Sequence, residues 1–434
     1  MDTNRHVVVI SEDALVYDDL ETLRQLPAFG ELMKKGSLVK TIRSVYPTVT
    51  YPCHTSMCTG VPCGRHGVVN NERDDDLTLE HAPWEWFHSA VKTGDIFDAA
   101  HAAGLTTAAV FWPVTGNHPH IDYLIDEYWP QSPEETTEAC FAASGSSPEI
   151  IERVIQPNRH LLDGKHRIHP DCDAFIHACA GAIIRHYKPN LLMIHPANID
   201  GYRHKTGMFS PLVTHGLHQI DLWLGEILKA LDDAGIRDTT DIFIVSDHGQ
   251  MNITRTVALN ALLAERGLVT VNTEGRITDY TAVAHSAGMS AQVYVKNPAD
   301  TERVYAVLRQ MSADGLYGFG RVYTAREARE EEGLYGGFSF VLETDGYTSF
   351  SNACTRPFVR PADNSDYKFG RATHGYHPDK GPQPTLMACG PHIRPGVVLE
   401  RRSILDEAPT YARILGVELP DAEGKAIEEI LTDC

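Results

Sequence analysis

A chain of 434 residues with 42% hydrophobic content is long enough to bury a sizeable core and to carry more than one minimal domain. Its formal net charge of −20 disfavours a stable nucleic-acid complex, which rests on Lys and Arg neutralising phosphates. A small anionic phosphate ester is not excluded, provided a bound cation supplies positive charge locally.

The first apolar run, residues 7–10, is too short for a signal-peptide core, and no segment approaches the ~20 apolar residues of a membrane helix. The nine cysteines are scattered, and Cys53, Cys58 and Cys63 lack the Cys-x-x-Cys pairing of a zinc ribbon. A cytoplasmic protein with free thiols and no membrane partner is expected. A homo-oligomer stays open.

In chain order, residues 6–11 read as a first strand, 20–35 as a helix broken by Pro27, and 37–45 as a second strand ending in Tyr46-Pro47. Residues 96–103 form a helix closed by Gly104, followed by a strand at 106–111. Helical spacing over 172–187 precedes the apolar run 190–194. The amphipathic helix 211–234 ends at Gly235 and leads into the apolar run 241–245. Strands separated by helices of this length predict βαβ units: an α/β fold with a mostly parallel central sheet flanked by helices.

After Gln250 the pattern changes. Residues 257–267 read as helix, but 291–295, 301–311 and 338–342 form a mixed group, bounded by turn-prone stretches near 273–275 and 361–365. The prediction is a catalytic core over 1–269 and 367–434 with a small inserted α/β subdomain over 270–366. The core resumes with a strand at 385–388 and a last helix at 407–415.

The chemistry-bearing residues stand where the apolar runs end. Asp247-His248-Gly249 closes the run 241–245 abruptly, at the strand end where open α/β sheets place their chemistry. Asp13 follows the first strand. Asp200 and His204, four residues apart after the run 191–194, are close enough to grip one metal from a helical turn. His374 lies on a glycine-bearing loop with His377. Each has an ordinary explanation alone: a cap, a polar helix start, or one of 22 histidines. Together, three carboxylates and three imidazoles match the donors zinc accepts. Two such ions can clamp the attacking and leaving oxygens of a displacement at phosphorus. Thr50 precedes Pro52, which suits a first helical turn, so Thr50 falls near a helix N-terminus where amides and dipole favour an anion. An N-capping threonine explains that segment equally well by itself.

In this order the residues resemble the alkaline phosphatase superfamily, and specifically its nucleotide pyrophosphatase/phosphodiesterase branch. Thr50-Tyr-Pro-Cys-His54 with Gly60 is similar to the branch's nucleophile motif, and His66-Gly67-Val-Val-Asn70-Asn71 to its His-Gly-Ile segment ending in asparagine. Phe111-Trp112-Pro113 is similar to its Phe-Trp-Pro run. The resemblance implies one zinc held by Asp200, His204 and His374 and another by Asp13, Asp247 and His248, with manganese as a replacement metal. It implies Thr50 as nucleophile and ligand of the second ion, Asn71 as donor to a non-bridging phosphate oxygen, and Tyr51 beside the leaving or retained group. The implied activity is cleavage of phosphodiester or pyrophosphate bonds in nucleotide-type substrates through a phosphothreonine.

Cys53 and Val114-Thr115 depart from the branch's asparagine and glycine-serine, which weakens the nucleotide assignment more than the chemistry. A phosphonoacetate hydrolase or a phosphomonoesterase would use the same metals but needs added positive charge, and Arg and Lys are sparse near the motifs. A sulfatase lacks its maturation motif, since Cys53 is followed by His-Thr-Ser-Met. A zinc-stabilised binding module, the non-enzyme alternative, has no need of Thr50 or Asn71.

Overall fold

A computed structural model describes residues 4–432. Its central eight-stranded sheet contains β1 (His6–Ser11), β2 (Ser37–Arg43), β3 (Thr107–Val110), β4 (Tyr123–Ile125), β5 (Leu191–Ile194) and β6 (Thr240–Val245). The chain then builds a separate four-stranded antiparallel sheet from β7 (Ala282–Ser286), β8 (Ser290–Val295), β9 (Phe319–Thr324) and β10 (Phe340–Thr344). It returns to the first sheet with β11 (Leu386–Cys389) and β12 (Val398–Ser403).

The strand order is β12-β2-β11-β6-β1-β5-β3-β4, and every pairing is parallel except the two made by β11. The sheet is buried on both faces, which is why its central strands read as unbroken apolar runs. Val7, Val9, Met193, Phe243 and Val245 point to one side, where they meet α1 (Thr50–Thr59) and α5 (Glu407–Leu415). Val8, Ile10, Leu192, Ile242 and Ile244 point to the other, against α2 (Asp171–Tyr187) and α4 (Pro211–Ala234). A shorter helix, α3 (Asn198–Thr206), follows β5 directly. Ser210 caps α4 by accepting from the Val213 amide, Pro211 opens it, and Gly235 ends it in the left-handed conformation.

The first-face core continues without a break into the second sheet through Val293, Val322, Phe340 and Val341. A separate three-stranded sheet begins upstream of residue 270. Arg255–Ala258 is a strand pairing with Thr348–Ser351 and Val359–Arg360, and the helix expected from 257 starts only at Leu259. The partners of that strand lie about ninety residues downstream in sequence, so local spacing could not reveal it. The edge strand β12 was also unread, because its Leu-Glu-Arg-Arg sequence is largely solvent-facing. Among the described residues, no helix is long and apolar enough to cross a membrane.

What this topology does for function is to place the carboxyl ends of β6, β1 and β5 side by side. Of the neighbouring strands β5 and β3, the chain leaves β5 for β6 on one side and β3 for β4 on the other, the arrangement that opens a crevice above the sheet. The loop after residue 373 closes over that crevice and is pinned at Gly375. Its φ is +93°, its amide donates to the Thr48 carbonyl at 2.8 Å, and a Cβ there would stand 1.8 Å from the Ala287 carbonyl oxygen. Glycine alone fits both demands. Gly375→Ala should cost more than about 1 kcal/mol and lower the Tm in a thermal melt. An unchanged Tm would contradict the close approach of this loop to the second sheet.

Candidate active site

Each strand end delivers a polar residue into the same crevice. Asp13 lies two residues past β1, His195 directly past β5, and Asp247-His248 two and three residues past β6. Helix α3 presents Asp200 and His204 one turn apart, and the pinned loop contributes His374. These form two clusters, Asp200/His204/His374 and Asp13/Asp247/His248, in each of which the ligand atoms lie within 4.8 Å of one another. His204 Nε2 is 3.0 Å from Asp200 Oδ2, and His248 Nε2 is 3.1 Å from Asp247 Oδ2 and 3.7 Å from Asp13 Oδ1. The His248 and His374 rings stack at 4.0 Å and join the clusters. All six Asp and His residues picked from the sequence as metal ligands converge here.

The electrostatics call for a cation. Burial, reinforced by neighbouring carboxylates, pushes Asp13 and Asp247 well above the usual carboxylate range. Burial would raise Asp200 as well, but the His204 charge and hydrogen bond outweigh it and hold that carboxyl low. Asp13 Oδ1 and Asp247 Oδ2 are buried and make no hydrogen bond, lying at ion-pair distance from His248 Nε2, a costly state unless something else binds them. His204 Nδ1 meets the Ala372 carbonyl at 2.8 Å, which leaves Nε2 as the ring's free lone pair. Orphaned oxygen and nitrogen donors around buried carboxylates fit divalent cations, with imidazole and carboxylate suited to zinc.

Thr50 opens α1, and its Oγ1 lies 3.3 Å from His248 Nε2. His54 fixes that first turn, with Nδ1 at 2.8 Å from the Thr50 carbonyl and Nε2 at 2.9 Å from Ser11 Oγ on β1. The Tyr51 amide donates to Asn71 Oδ1 at 2.8 Å, so the Asn71 side-chain Nδ2 is left to donate to whatever occupies the crevice. Behind Asn71 a buried ion pair braces the wall. Glu72 Oε1 accepts from Lys368 Nζ, both side chains being 2% exposed, while Glu72 Oε2 lies 3.3 Å from His285 Nε2 and Asn352 Nδ2. Lys368 follows Tyr367, whose ring stacks on His374 at 5.1 Å and 6°.

A cavity of about 410 Å³ opens over these groups, lined among others by Thr50, Asn71, Trp84, Trp129 and Tyr367. Tyr51 does not line it. Its ring is fully buried and packs edge-on against Trp84 at 5.2 Å, and the cavity is lined instead by the rings of Trp84, Trp129 and Tyr367. The expectation of few nearby cations also fails, because Arg167 and Lys205 both line the cavity. Lys205, next to His204, was legible; Arg167 arrives from an irregular stretch with no periodic signal. His195, 3.1 Å from Asp13 Oδ2, carries the same strand-end signal that marked Asp247. Glu127, 3.8 Å from His195 Nδ1, is pushed up to about 7 by burial against the opposing His195 and Arg167 charges.

Known proteins resemble this chain in sequence and in fold. The family model for type I phosphodiesterase / nucleotide pyrophosphatase matches residues 7–338. Human ectonucleotide pyrophosphatase/phosphodiesterase family member 5 is 26% identical over 254 residues, covering 56% of this chain and 44% of that protein. Mouse family member 1 is 24% identical over 246 residues, 55% of this chain and 23% of that protein. The chain thus spans less than half the length of these two relatives. The bis(5'-adenosyl)-triphosphatase of Xenopus laevis is 23% identical over 423 residues, 95% of this chain and 78% of that protein. Among solved structures, murine ectonucleotide pyrophosphatase/phosphodiesterase 5 superposes with a TM-score of 0.67 at 20% identity, over 99% of this chain and 100% of that one. An inactive variant of the murine protein, solved in complex with AMP, gives 0.66 at 19% identity over the same shares of the two chains.

The brace behind Asn71 yields a pH prediction. Burial raises the Glu72 carboxyl, but the Lys368 and His285 charges outweigh it and bring it from 4.5 down to about 2. A depressed carboxylate stabilises the fold above its ordinary value, and that contribution is lost as pH falls through the folded one. Glu72→Gln should therefore cost about 3–5 kcal/mol at neutral pH by leaving Lys368 buried and unpaired. The gap to wild type should narrow between pH 4.5 and about 2, as wild-type Glu72 takes up its proton. Urea unfolding across that window checks this, and a gap that stays constant would contradict the ion pair.

Proposed function

The chain belongs to the type I phosphodiesterase/nucleotide pyrophosphatase family, and on that premise we propose that it is a hydrolase of phosphodiester or pyrophosphate bonds that works through a phosphorylated Thr50. The observation that carries this is the placing of Thr50 Oγ1 at a helix N-terminus, on a cavity floor, against the buried Asp/His clusters. Asp200, His204 and His374 would hold one divalent cation and Asp13, Asp247 and His248 the other. Bound there, two ions, zinc or in its place manganese, would supply positive charge to the reacting phosphate and to the oxygens around it.

The chain's own groups do the rest. The amide end of α1 stabilises negative charge on Thr50 Oγ1 as it forms a bond to phosphorus and the bond to the leaving oxygen breaks. Asn71 Nδ2 donates to a non-bridging oxygen, an interaction that strengthens as charge develops there. His54 keeps Thr50 in line by tying its turn to β1. Hydrolysis of the phosphothreonine then returns the free hydroxyl and releases a monoester. An inactive variant of the murine relative, solved with AMP, supports a nucleotide-type product. A phosphonate or monoester substrate gains support from Arg167 and Lys205, which supply the positive charge those substrates require.

Thr50→Ala should lower turnover of bis(p-nitrophenyl) phosphate by roughly 10³-fold or more, with circular dichroism and metal content retained. A variant that keeps most of its activity would remove Thr50 from the chemistry.

A further inference from the structure

In a chain of net charge −20, a cation at the cavity that makes no hydrogen bond or ion pair needs a reason. Arg167 is such a cation. It lines the same cavity as Thr50 and Asn71, and among the described residues its guanidinium makes no hydrogen bond or ion pair. Lys205, also a lining residue, is equally unpartnered.

The acids that share the cavity are engaged elsewhere. Asp173 Oδ2 holds His169 Nδ1 at 2.7 Å, Asp366 Oδ1 accepts from the Lys368 amide at 2.9 Å, and Glu127, which also feels the Arg167 charge, lies 3.8 Å from His195 Nδ1. The guanidinium carbon of Arg167 lies 5.1 Å from the Trp84 ring centre and 4.5 Å from that of Trp129. Two aromatic faces orient the planar group and leave its N–H fork to a ligand. Those faces are thereby taken by Arg167 and are not free to stack on a flat apolar group.

Resting on the Thr50 hydrolase reading above, we propose that Arg167, set on Trp84 and Trp129 and aided by Lys205, forms a subsite for a second anionic group of the substrate. The two Asp/His clusters with their cations already meet the charge of the reacting phosphate. A further fixed cation suits a substrate that carries another anion beyond it. A guanidinium fork matches the paired oxygens of a phosphate or a carboxylate. The substrate class is therefore polyanionic: a phosphoanhydride, whose next phosphate enters the subsite, or a phosphonocarboxylate, whose carboxylate does.

Calorimetric titration of the full metal-loaded chain tests this with three probes: methylphosphonate, methylenediphosphonate and 3-phosphonopropionate. The first carries only the reacting-type anion, the second adds a phosphate-type anion, and the third adds a carboxylate. Arg167→Ala should weaken at least one two-anion probe tenfold or more beyond any change for methylphosphonate, and Arg167→Lys should recover part of that loss. The probe with the larger excess loss identifies which anion the subsite takes. Equal changes for all three probes, or none, would overturn the subsite. Binding is read without turnover, so the two proposals separate: selective loss in a chain that cleaves no diester would sink the Thr50 hydrolase reading and keep the subsite.

Discussion

Everything around the crevice follows from burying Asp13, Asp247 and Asp200 together at the end of a sheet. Carboxylates removed from water cost several kcal/mol each unless they are paired, and the imidazoles beside them do not provide three positive charges. Two of these carboxyls are driven upward by burial and crowding, and Asp13 Oδ1 and Asp247 Oδ2 make no hydrogen bond. Divalent cations would relieve that cost, and the groups behind the cluster orient it. His204 is turned by the Ala372 carbonyl, Gln250 Nε2 donates to Asp200 Oδ1 at 2.5 Å, and the Ala14 amide donates to Asp247 Oδ1 at 3.2 Å.

The scaffold supplies rigidity where that aim matters. Two of the acids come directly from β1 and β6, which pair over six residues in the middle of the sheet. Arg203, between the ligands Asp200 and His204, is fully buried and binds Asp19 Oδ2 at 2.5 Å, locking α3 to the segment after β1. The second sheet adds a wall through Asn70, whose Nδ2 donates to the Ser286 carbonyl and to Gln292 Oε1, both at 3.1 Å. The residues 282–344 are thus part of what holds Asn71 over the crevice, besides sharing the main core.

Much of this was legible from residue order alone. Runs such as residues 241–245 announce a doubly covered strand, and a ligand side chain at the end of each run announces chemistry. That logic reached Asp13, Asp200, His204, His374, Asp247 and His248, the helix start after Tyr46-Pro47 offered Thr50, and resemblance added Asn71. It passed over His195 because one more histidine after one more strand was not weighed as the others were. The cavity's upper walls were out of reach for a physical reason. Trp84, Trp129 and Arg167 lie in irregular segments whose positions are set by long-range ring contacts. Tyr51 misled because a residue adjacent to the nucleophile in sequence points, at a helix start, into the packed interior.

Anomalous diffraction at the zinc edge, from crystals of the zinc-loaded chain, tests the centre most directly. Two peaks are expected, one among Asp13, Asp247 and His248 beside Thr50, the other among Asp200, His204 and His374. A single peak, or zinc bound only outside these two clusters, would contradict a two-cation centre built on the buried carboxylates.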